Sequence, residues 1–132
     1  MRIFIDTSAF FALLDNDDSQ HLAAKRVWKE LLREDRTLLT SNYVLVECFA
    51  LMQNRLGLRA VRDFQENIMP LIQVEHVDLE MHRAGVSALL AASKRNLSLV
   101  DCVSFEVMRT LGMKAVFTFD PHFREQGFSI NP

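Results

Sequence analysis

The sequence has few of the residues that form linkers, disulfide frameworks and zinc sites. Its 132 residues include four glycines and three prolines, and no segment is rich in either residue. Without such a linker we expect one domain spanning residues 1–132. The two cysteines, Cys48 and Cys102, form no CxxC pair, and the four histidines lack zinc-ligand spacing. We therefore expect neither a disulfide framework nor a zinc site.

Long hydrophobic runs and a strong net charge are also missing. No apolar run approaches the roughly 20 residues of a membrane-spanning helix, so we expect a soluble protein with no membrane partner. The sparse cysteines indicate the reducing cytoplasm. Fifteen Lys and Arg residues oppose seventeen Asp and Glu residues, giving a formal net charge of −2. This balance argues against a strongly basic nucleic-acid binder, but it leaves the local distribution of charge open.

Short apolar runs alternate with longer amphipathic patterns along the chain. The short runs predict β-strands at residues 3–5, 37–40, 71–75, 115–119 and 128–130. Helical patterns lie between them, and their predicted N-caps are Ser19, Ser41 or Asn42, Asp78 and Ser98. Strands that alternate with helices pair in parallel. The sequence therefore predicts an α/β protein, a three-layer α/β/α sandwich with a central, mainly parallel sheet of four to five strands.

Three acidic residues fall at junctions between these elements. Asp6 follows the first predicted strand, Asp120 follows the fourth, and Asp101 lies in the first turn of a late helix. Because ligands bind outside the carboxyl ends of parallel strands, Asp6 and Asp120 are expected to project into that crevice. Each acid also has a purely structural interpretation. Asp6 and Asp120 can cap the helices that follow, and Ser98 with Asp101 matches a capping box.

Glu47 lies in the middle of an apolar helix, in the stretch VLVECF at 44–49. The residues three and four positions away on the same helix face are uncharged, so they offer no ion-pair partner. A buried carboxylate without a partner is costly. We therefore expect Glu47 to point toward a site that stabilises negative charge.

Four carboxylates in one pocket must take up protons or a cation, because two carboxylates about 4 Å apart repel by about 4 kcal/mol at an effective dielectric of about 20. Asp6, Glu47, Asp101 and Asp120 offer oxygen ligands, which suit Mg²⁺ or Mn²⁺. Such an ion binds phosphate oxygens and lowers the pKa of water, so the pattern predicts metal-dependent phosphoryl-ester chemistry. Setting these four aside leaves thirteen acidic against fifteen basic residues, which suits a polyanionic substrate.

In these same residues the sequence resembles a known family, the PIN domains, and most closely the VapC-type toxins of bacterial toxin–antitoxin pairs. The resemblance rests, in order, on IDTS at 5–8, Glu47, DCVSF at 101–105 and TFDPHF at 118–123. It implies a magnesium-dependent ribonuclease with the four acids around the metal and with Ser8 and Thr118 as accessory hydroxyls. It also implies a homodimer and an antitoxin that lays a peptide into the active-site groove.

Two further residues follow Asp120 at the crevice. His122 and Arg124 are predicted to contact RNA phosphates. Three other functions stay open. In an aspartyl-phosphate phosphatase or phosphoacceptor Asp6 would be the nucleophile, but that class usually has a second acid two residues later, where this chain has Ser8. In a non-catalytic binding module the acids would only cap helices or hold a structural ion. A third alternative is a nuclease that acts on structured DNA.

Overall fold

The computed structural model describes residues 1–132 and places five short strands in one sheet. The strands are β1 (Arg2–Ile5), β2 (Thr37–Ser41), β3 (Ile72–Glu75), β4 (Ala115–Phe117) and β5 (Ser129–Asn131). Their order is β3-β2-β1-β4-β5, and every neighbouring pair is parallel. Phe4 of the central strand pairs with Leu39 on one side and Val116 on the other. The predicted parallel sheet is therefore confirmed.

Seven α-helices connect the strands and cover the sheet. They are α1 (Thr7–Leu14), α2 (His21–Arg33), α3 (Asn42–Leu56), α4 (Leu58–Asp63), α5 (Leu79–Ala92), α6 (Leu99–Thr110) and α7 (His122–Glu125). The chain steps from β1 to β3 in one direction across the sheet and then reaches β4 and β5 in the other. Crossovers of one hand that reverse direction in this way put helices on both faces of the sheet, which makes three layers. None of the helices combines the length and apolarity that a membrane span needs.

Phenylalanines fill the core on each side of the sheet. Phe64 meets Phe10 of α1 and Phe49 of α3 edge to face, with ring centroids 5.1 and 5.6 Å apart. Phe105 of α6 meets Phe123 of α7 in the same way at 4.9 Å. Four of these five rings are buried, and Phe49 is half-buried. These contacts hold the helices that carry the acidic residues in place against the strands.

The predicted N-caps are correct for α3, α5 and α6 and wrong for α2. Ser41, Asp78 and Ser98 each accept a backbone N–H of the first turn that follows. Ser19 makes no such bond. Instead Asp18 Oδ1 accepts the N–H of Gln20 at 2.7 Å, and α2 begins after this turn. A carboxylate two residues upstream forms the turn that the serine was expected to form.

The segment before Pro70 is less regular than the sequence pattern predicts. The amphipathic pattern that begins at Leu58 suggests one helix as far as Pro70, but α4 ends at Asp63. A π-helical turn over Phe64–Ile68 and a 3₁₀ turn over Met69–Leu71 follow. Proline has no N–H to donate and its ring clashes with the preceding turn, so the winding changes before it.

Helices α5 and α6 approach each other closely at Gly85. A Cβ built there would lie 2.5 Å from Val103 Cγ2 and 3.3 Å from Val103 Cα. Only glycine leaves room for this contact, which sets the position of α6 and of the acidic residue in its first turn.

Candidate active site

The carboxyl ends of β1 and β4 meet at the point where the strand order changes direction. The chain adds β2 on one side of β1 and later adds β4 on the other, which makes this edge the topological switch point where ligands bind in such sheets. Asp6 follows β1, and its N–H donates to the Phe117 carbonyl at 3.1 Å. β4 ends at Phe117, two residues earlier than predicted, so Thr118 and Asp120 turn into the same space.

Two hydroxyls hold one oxygen of the buried Asp6 carboxylate. Thr118 Oγ1 donates to Asp6 Oδ2 at 3.0 Å, and Ser8 Oγ donates to the same oxygen at 3.1 Å. Backbone groups orient both hydroxyls, because the Phe119 N–H donates to Ser8 Oγ at 3.0 Å and the Asp120 N–H donates to Thr118 Oγ1 at 2.9 Å. Each N–H fills only one lone pair of its hydroxyl, and the two hydroxyl oxygens also lie 3.1 Å apart, so Ser8, Thr118 and the carboxylate form one connected network. The network leaves Asp6 Oδ1 for another partner.

Asp101 combines a capping bond with a position in the site. Its Oδ2 accepts the Ser98 N–H at 3.0 Å, and Ser98 Oγ accepts the Asp101 N–H at 3.1 Å, which is the capping box that the sequence suggested. These bonds use one carboxylate oxygen and leave Oδ1. The structural and the functional interpretation of Asp101 are therefore compatible, since the cap fixes the direction of the carboxylate.

Asp120 forms a tight turn with His122. Its Oδ1 accepts the N–H of His122 at 2.9 Å, and His122 Nδ1 lies 2.8 Å from the same oxygen. That second contact lacks hydrogen-bond geometry, so the buried Nδ1 has no hydrogen-bond partner. Asp101, Asp120 and His122 each offer one atom that could bind a metal ion, and these three ligand atoms lie within 4.8 Å of one another. The edge of the sheet thus gathers ligand atoms from α6 and from the turn after β4.

Burial and mutual repulsion make these acids hard to ionise together. Burial, followed by the charge of Asp101, raises the pKa of Asp6 to about 7, although its hydrogen bonds oppose the shift. Burial also raises the pKa of Asp101; the backbone of Ser98 opposes this shift, and the charge of Asp120 adds to it. A divalent cation stabilises the ionised carboxylates against both the burial and the repulsion that raise these pKa values. The electrostatics of the site therefore favour a bound metal ion.

Asp6 and Glu47 both lie outside the group of three ligand atoms from Asp101, Asp120 and His122, and Glu47 borders the site from α3. It is half-buried beside an apolar depression of about 390 Å³, whose other lining residues are Tyr43, Val46, Ala50 and Val100. Val100 belongs to the first turn of α6, so the depression adjoins the acid of that turn. The structure places Glu47 at the rim of the predicted pocket rather than among its closest atoms.

The largest surface cavity lies elsewhere. It measures about 620 Å³ and is lined at α4 by Arg59, Arg62 and Asp63, with Asp15 opposite. Its charges are mixed, and none of the predicted site acids lines it. The volume of a cavity is a weak guide to a nucleic-acid binding site, because a nucleic-acid backbone binds to open surfaces. Arg124, which was predicted to contact RNA, is exposed on α7, two residues beyond His122.

Sequence reasoning missed two features of this site. It did not anticipate the backbone N–H groups of Phe119 and Asp120 that orient the hydroxyls, and it assigned His122 to RNA contact rather than to the acids. A signal for the second feature was present. Asp side chains accept the N–H two residues on, so the Asp-Pro-His run already predicts a turn that brings His122 back over Asp120.

Comparison with known proteins agrees with this geometry. The family model for the PIN domain matches residues 3–129. A curated relative, the 23S rRNA-specific endonuclease VapC20 of Mycobacterium tuberculosis, is 35% identical over 127 residues, which covers 96% of this chain and 95% of the relative.

Solved structures give the same result. The crystal structure of Mycobacterium tuberculosis VapC20, described as a sarcin-ricin loop cleaving toxin, matches with a TM-score of 0.85 at 34% identity and covers 98% of this chain and 99% of its own. VapBC2 from Rickettsia felis, bound to a DNA fragment from its promoter, matches with a TM-score of 0.71 at 9% identity over 99% and 98% of the two chains, which shows the fold alone.

PIN nucleases use divalent metal ions, and the unpartnered Nδ1 of His122 and the free carboxylate oxygens of the site suit such an ion. This chain belongs to the PIN domain family.

Proposed function

We propose that this protein is a magnesium-dependent endoribonuclease, the single-domain toxin of a toxin–antitoxin pair. Asp6, Glu47, Asp101 and Asp120 form its metal site. The observation that carries the proposal is the convergence of three aspartates from separate parts of the chain, each with one oxygen held by the protein. Hydrogen bonds that hold a carboxylate in one orientation prepare it for a metal ion, and Asp101 and Asp120 bring ligand atoms within 4.8 Å of each other.

The residues divide the work between binding and orientation. A bound Mg²⁺ supplies a positive charge for the scissile phosphate and an activated water for attack on phosphorus. Thr118 and Ser8 hold the Asp6 carboxylate in one orientation, so little reorganisation is needed when the substrate arrives. Without a metal ion, the charge of Asp101 raises the pKa of Asp6 and so disfavours its ionised form; a bound cation would offset this repulsion. Glu47, on α3, lies at the border of the same site.

The substrate class that we propose is 23S ribosomal RNA. The relative at 35% identity is named as a 23S rRNA-specific endonuclease. In this chain Arg124 is exposed on α7, four residues after Asp120, and has no ion-pair partner, so its charge is available to a phosphate group. A ribosomal substrate also places the protein in the cytoplasm.

Two protein partners belong to the same proposal. An antitoxin would cover the groove at the acids, and a second copy of the chain would form a homodimer. Light scattering coupled to gel filtration measures the mass of the purified chain, and a monomer at micromolar concentration would contradict the homodimer.

Cleavage of defined nucleic acids tests the activity. Purified protein is incubated with 23S rRNA, a mixed RNA pool and single-stranded DNA, in Mg²⁺ and in EDTA, and the products are mapped by primer extension. We expect Mg²⁺-dependent cuts in 23S rRNA at defined sites. Asp6→Asn should abolish them, whereas Asp17→Asn, an exposed acid outside the site, should leave them unchanged.

Other results would point to other functions. Equal cleavage with EDTA or with Asp6→Asn would indicate a contaminating nuclease, and preferential DNA cleavage would favour a DNA-directed enzyme. Stable labelling of Asp6 by acetyl phosphate would support the phosphoacceptor alternative. We expect none, because position 8 holds a hydroxyl that is bonded to Asp6 rather than a second acid.

A further inference from the structure

One nitrogen at the edge of the acidic cluster has no hydrogen-bond partner. His122 Nδ1 is buried and lies 2.8 Å from Asp120 Oδ1, outside hydrogen-bond geometry. That oxygen already accepts the backbone N–H of His122. A nitrogen lone pair and a carboxylate oxygen at this distance repel unless a proton or a metal ion lies between them, and the contact lacks the geometry of an N–H···O bond. The arrangement therefore calls for a cation that both atoms can contact.

The spacing of the donor atoms fits a single ion. Adjacent ligands of an octahedral ion with bonds of about 2.1 Å lie about 3 Å apart, and opposite ligands lie about 4.2 Å apart. Nδ1 and Oδ1 are 2.8 Å apart, and the donor atoms of Asp101, Asp120 and His122 all lie within 4.8 Å of one another. His122 thus occupies the place of an adjacent ligand to Asp120.

We propose that His122 binds the metal through Nδ1 and shifts the preference of the site from Mg²⁺ toward Mn²⁺. The inference rests on the proposed metal-dependent nuclease and adds a nitrogen to its oxygen ligands. Mg²⁺ is held almost entirely by oxygen, whereas transition metals accept imidazole readily and bind mixed nitrogen and oxygen sites more tightly. A site with His122 therefore distinguishes these two ions in a way that four carboxylates do not.

A different role for the ring would give a different result. If His122 only positions Asp120 through a hydrogen bond, any side chain that donates a proton at that place preserves the function. Asparagine carries an amide that can place either its oxygen or its NH₂ group near the position of Nδ1. His122→Asn therefore keeps a hydrogen-bonding group, and even an oxygen ligand, while it removes the nitrogen donor.

Direct measurement of metal binding separates the two roles without relying on activity. Mn²⁺ and Mg²⁺ affinities are measured by calorimetry for the wild type, His122→Asn and the control His76→Asn, an exposed histidine at the far edge strand. Pulsed electron paramagnetic resonance of the Mn²⁺-loaded proteins detects ¹⁴N coupled to the ion. We expect ¹⁴N coupling in the wild type and in His76→Asn and its loss in His122→Asn. The Mn²⁺/Mg²⁺ affinity ratio should fall at least about tenfold in His122→Asn alone.

Three results would overturn the inference, and they differ in what they mean for the proposed nuclease. Mn²⁺ bound without ¹⁴N coupling in the wild type, or an unchanged affinity ratio in His122→Asn, would exclude His122 as a ligand and leave the proposed nuclease intact. Failure of the wild type to bind either ion would overturn the metal-dependent function and this inference together.

Discussion

Thr118 Oγ1 lies 3.0 Å from Asp6 Oδ2 and joins the ends of two neighbouring strands across 112 residues of sequence. The same hydroxyl accepts the N–H of Asp120 at 2.9 Å. One buried side chain therefore holds the acid that follows β1 and also fixes the backbone of the acid that follows β4. The relative position of the two carboxylates depends on this hydroxyl more than on either strand alone.

Thr118→Val should separate this role from packing, because valine keeps the shape and removes the hydroxyl. Asp6 loses one donor and the Asp120 N–H loses its acceptor in a buried setting, which costs about 1–3 kcal/mol of the free energy of unfolding. We expect RNA cleavage to fall about 10–100-fold, the usual cost of losing a group that orients a metal ligand. Urea denaturation and initial cleavage rates measure the two effects.

Two further variants control for the change in side chain. Thr118→Ser keeps the hydroxyl and should retain most of the activity. Thr110→Val makes the same substitution at an exposed position near the end of α6 and should change stability by less than about 0.5 kcal/mol. Full activity in Thr118→Val would show that the hydroxyl does not position Asp6.

The raised pKa of Asp6 makes the stability of the metal-free protein depend on pH. The pKa is about 7 in the folded protein and 3.8 ordinarily, so the folded state holds this proton more tightly than the unfolded chain. The resulting stabilisation is fully present below pH 3.8 and is lost as the pH rises through 7. Asp6→Asn does not titrate. Its stability relative to the wild type should therefore increase between about pH 4 and pH 8, by at most roughly 4 kcal/mol.

Denaturation in EDTA at several pH values tests this linkage. Taking the difference between variant and wild type cancels the titration of groups that both proteins share. The exposed Asp17→Asn provides a matched control whose difference should stay flat. Parallel pH curves for Asp6→Asn and the wild type would show that Asp6 ionises normally in the fold.

Local sequence signals were enough to predict the α/β class, the parallel sheet and the family. Buried strands read as apolar runs, and Ser41, Asp78 and Ser98 mark helix starts by a bond that spans only a few residues. Such signals also located Asp6 and Asp120 at strand ends, because the end of an apolar run is visible in the sequence. The predicted ribonuclease class is likewise confirmed by the curated relative.

Features that depend on distant packing were not predictable in this way. The order of the strands follows from contacts between segments that are far apart, and this order decides that Asp6 and Thr118 become neighbours. Glu47 was expected within the cluster, but the packing of α3 against α6 sets its distance, and the structure leaves it at the rim. The π-helical turn that begins at Phe64 was not predicted by the local pattern, and its first residue packs against Phe10 in the core.

Because Glu47 lies outside the group of ligand atoms, substitutions at Asp101 and at Glu47 should weaken metal binding to different degrees. Asp101→Asn removes a charged ligand but keeps the capping box, since the amide oxygen still accepts the Ser98 N–H. Metal affinity should fall more in Asp101→Asn than in Glu47→Gln, because Glu47 is not among the donor atoms within 4.8 Å.

Thermal unfolding during a Mg²⁺ titration measures this order. At 100 times the Kd, the ion should stabilise the wild type by about 2.7 kcal/mol, and EDTA should remove the gain. Both variants should need more Mg²⁺ for the same stabilisation, with Asp101→Asn needing the most. A larger loss for Glu47→Gln would place Glu47 in direct contact with the ion and would revise the site.

Arg124 provides a test of the RNA surface that is independent of the metal. It is exposed on α7, four residues after Asp120, and forms no ion pair, so contact with one phosphate would release about one counterion. Arg124→Gln should weaken RNA binding and reduce the slope of log affinity against log salt by about 1. Fluorescence anisotropy at several salt concentrations measures this slope, with Asp6→Asn as the background so that the RNA stays intact.

The matched control for Arg124 is Arg33→Gln, an exposed arginine at the end of α2. Arg33 precedes β2 and so lies at the amino edge of the sheet, opposite the acids, where its charge should not reach the bound RNA over a Debye length of about 10 Å at 0.1 M salt. A change in net charge alone would affect both variants equally, because each loses one positive charge. A change in slope confined to Arg124→Gln therefore indicates a local phosphate contact, and equal slopes in the two variants would place the RNA elsewhere.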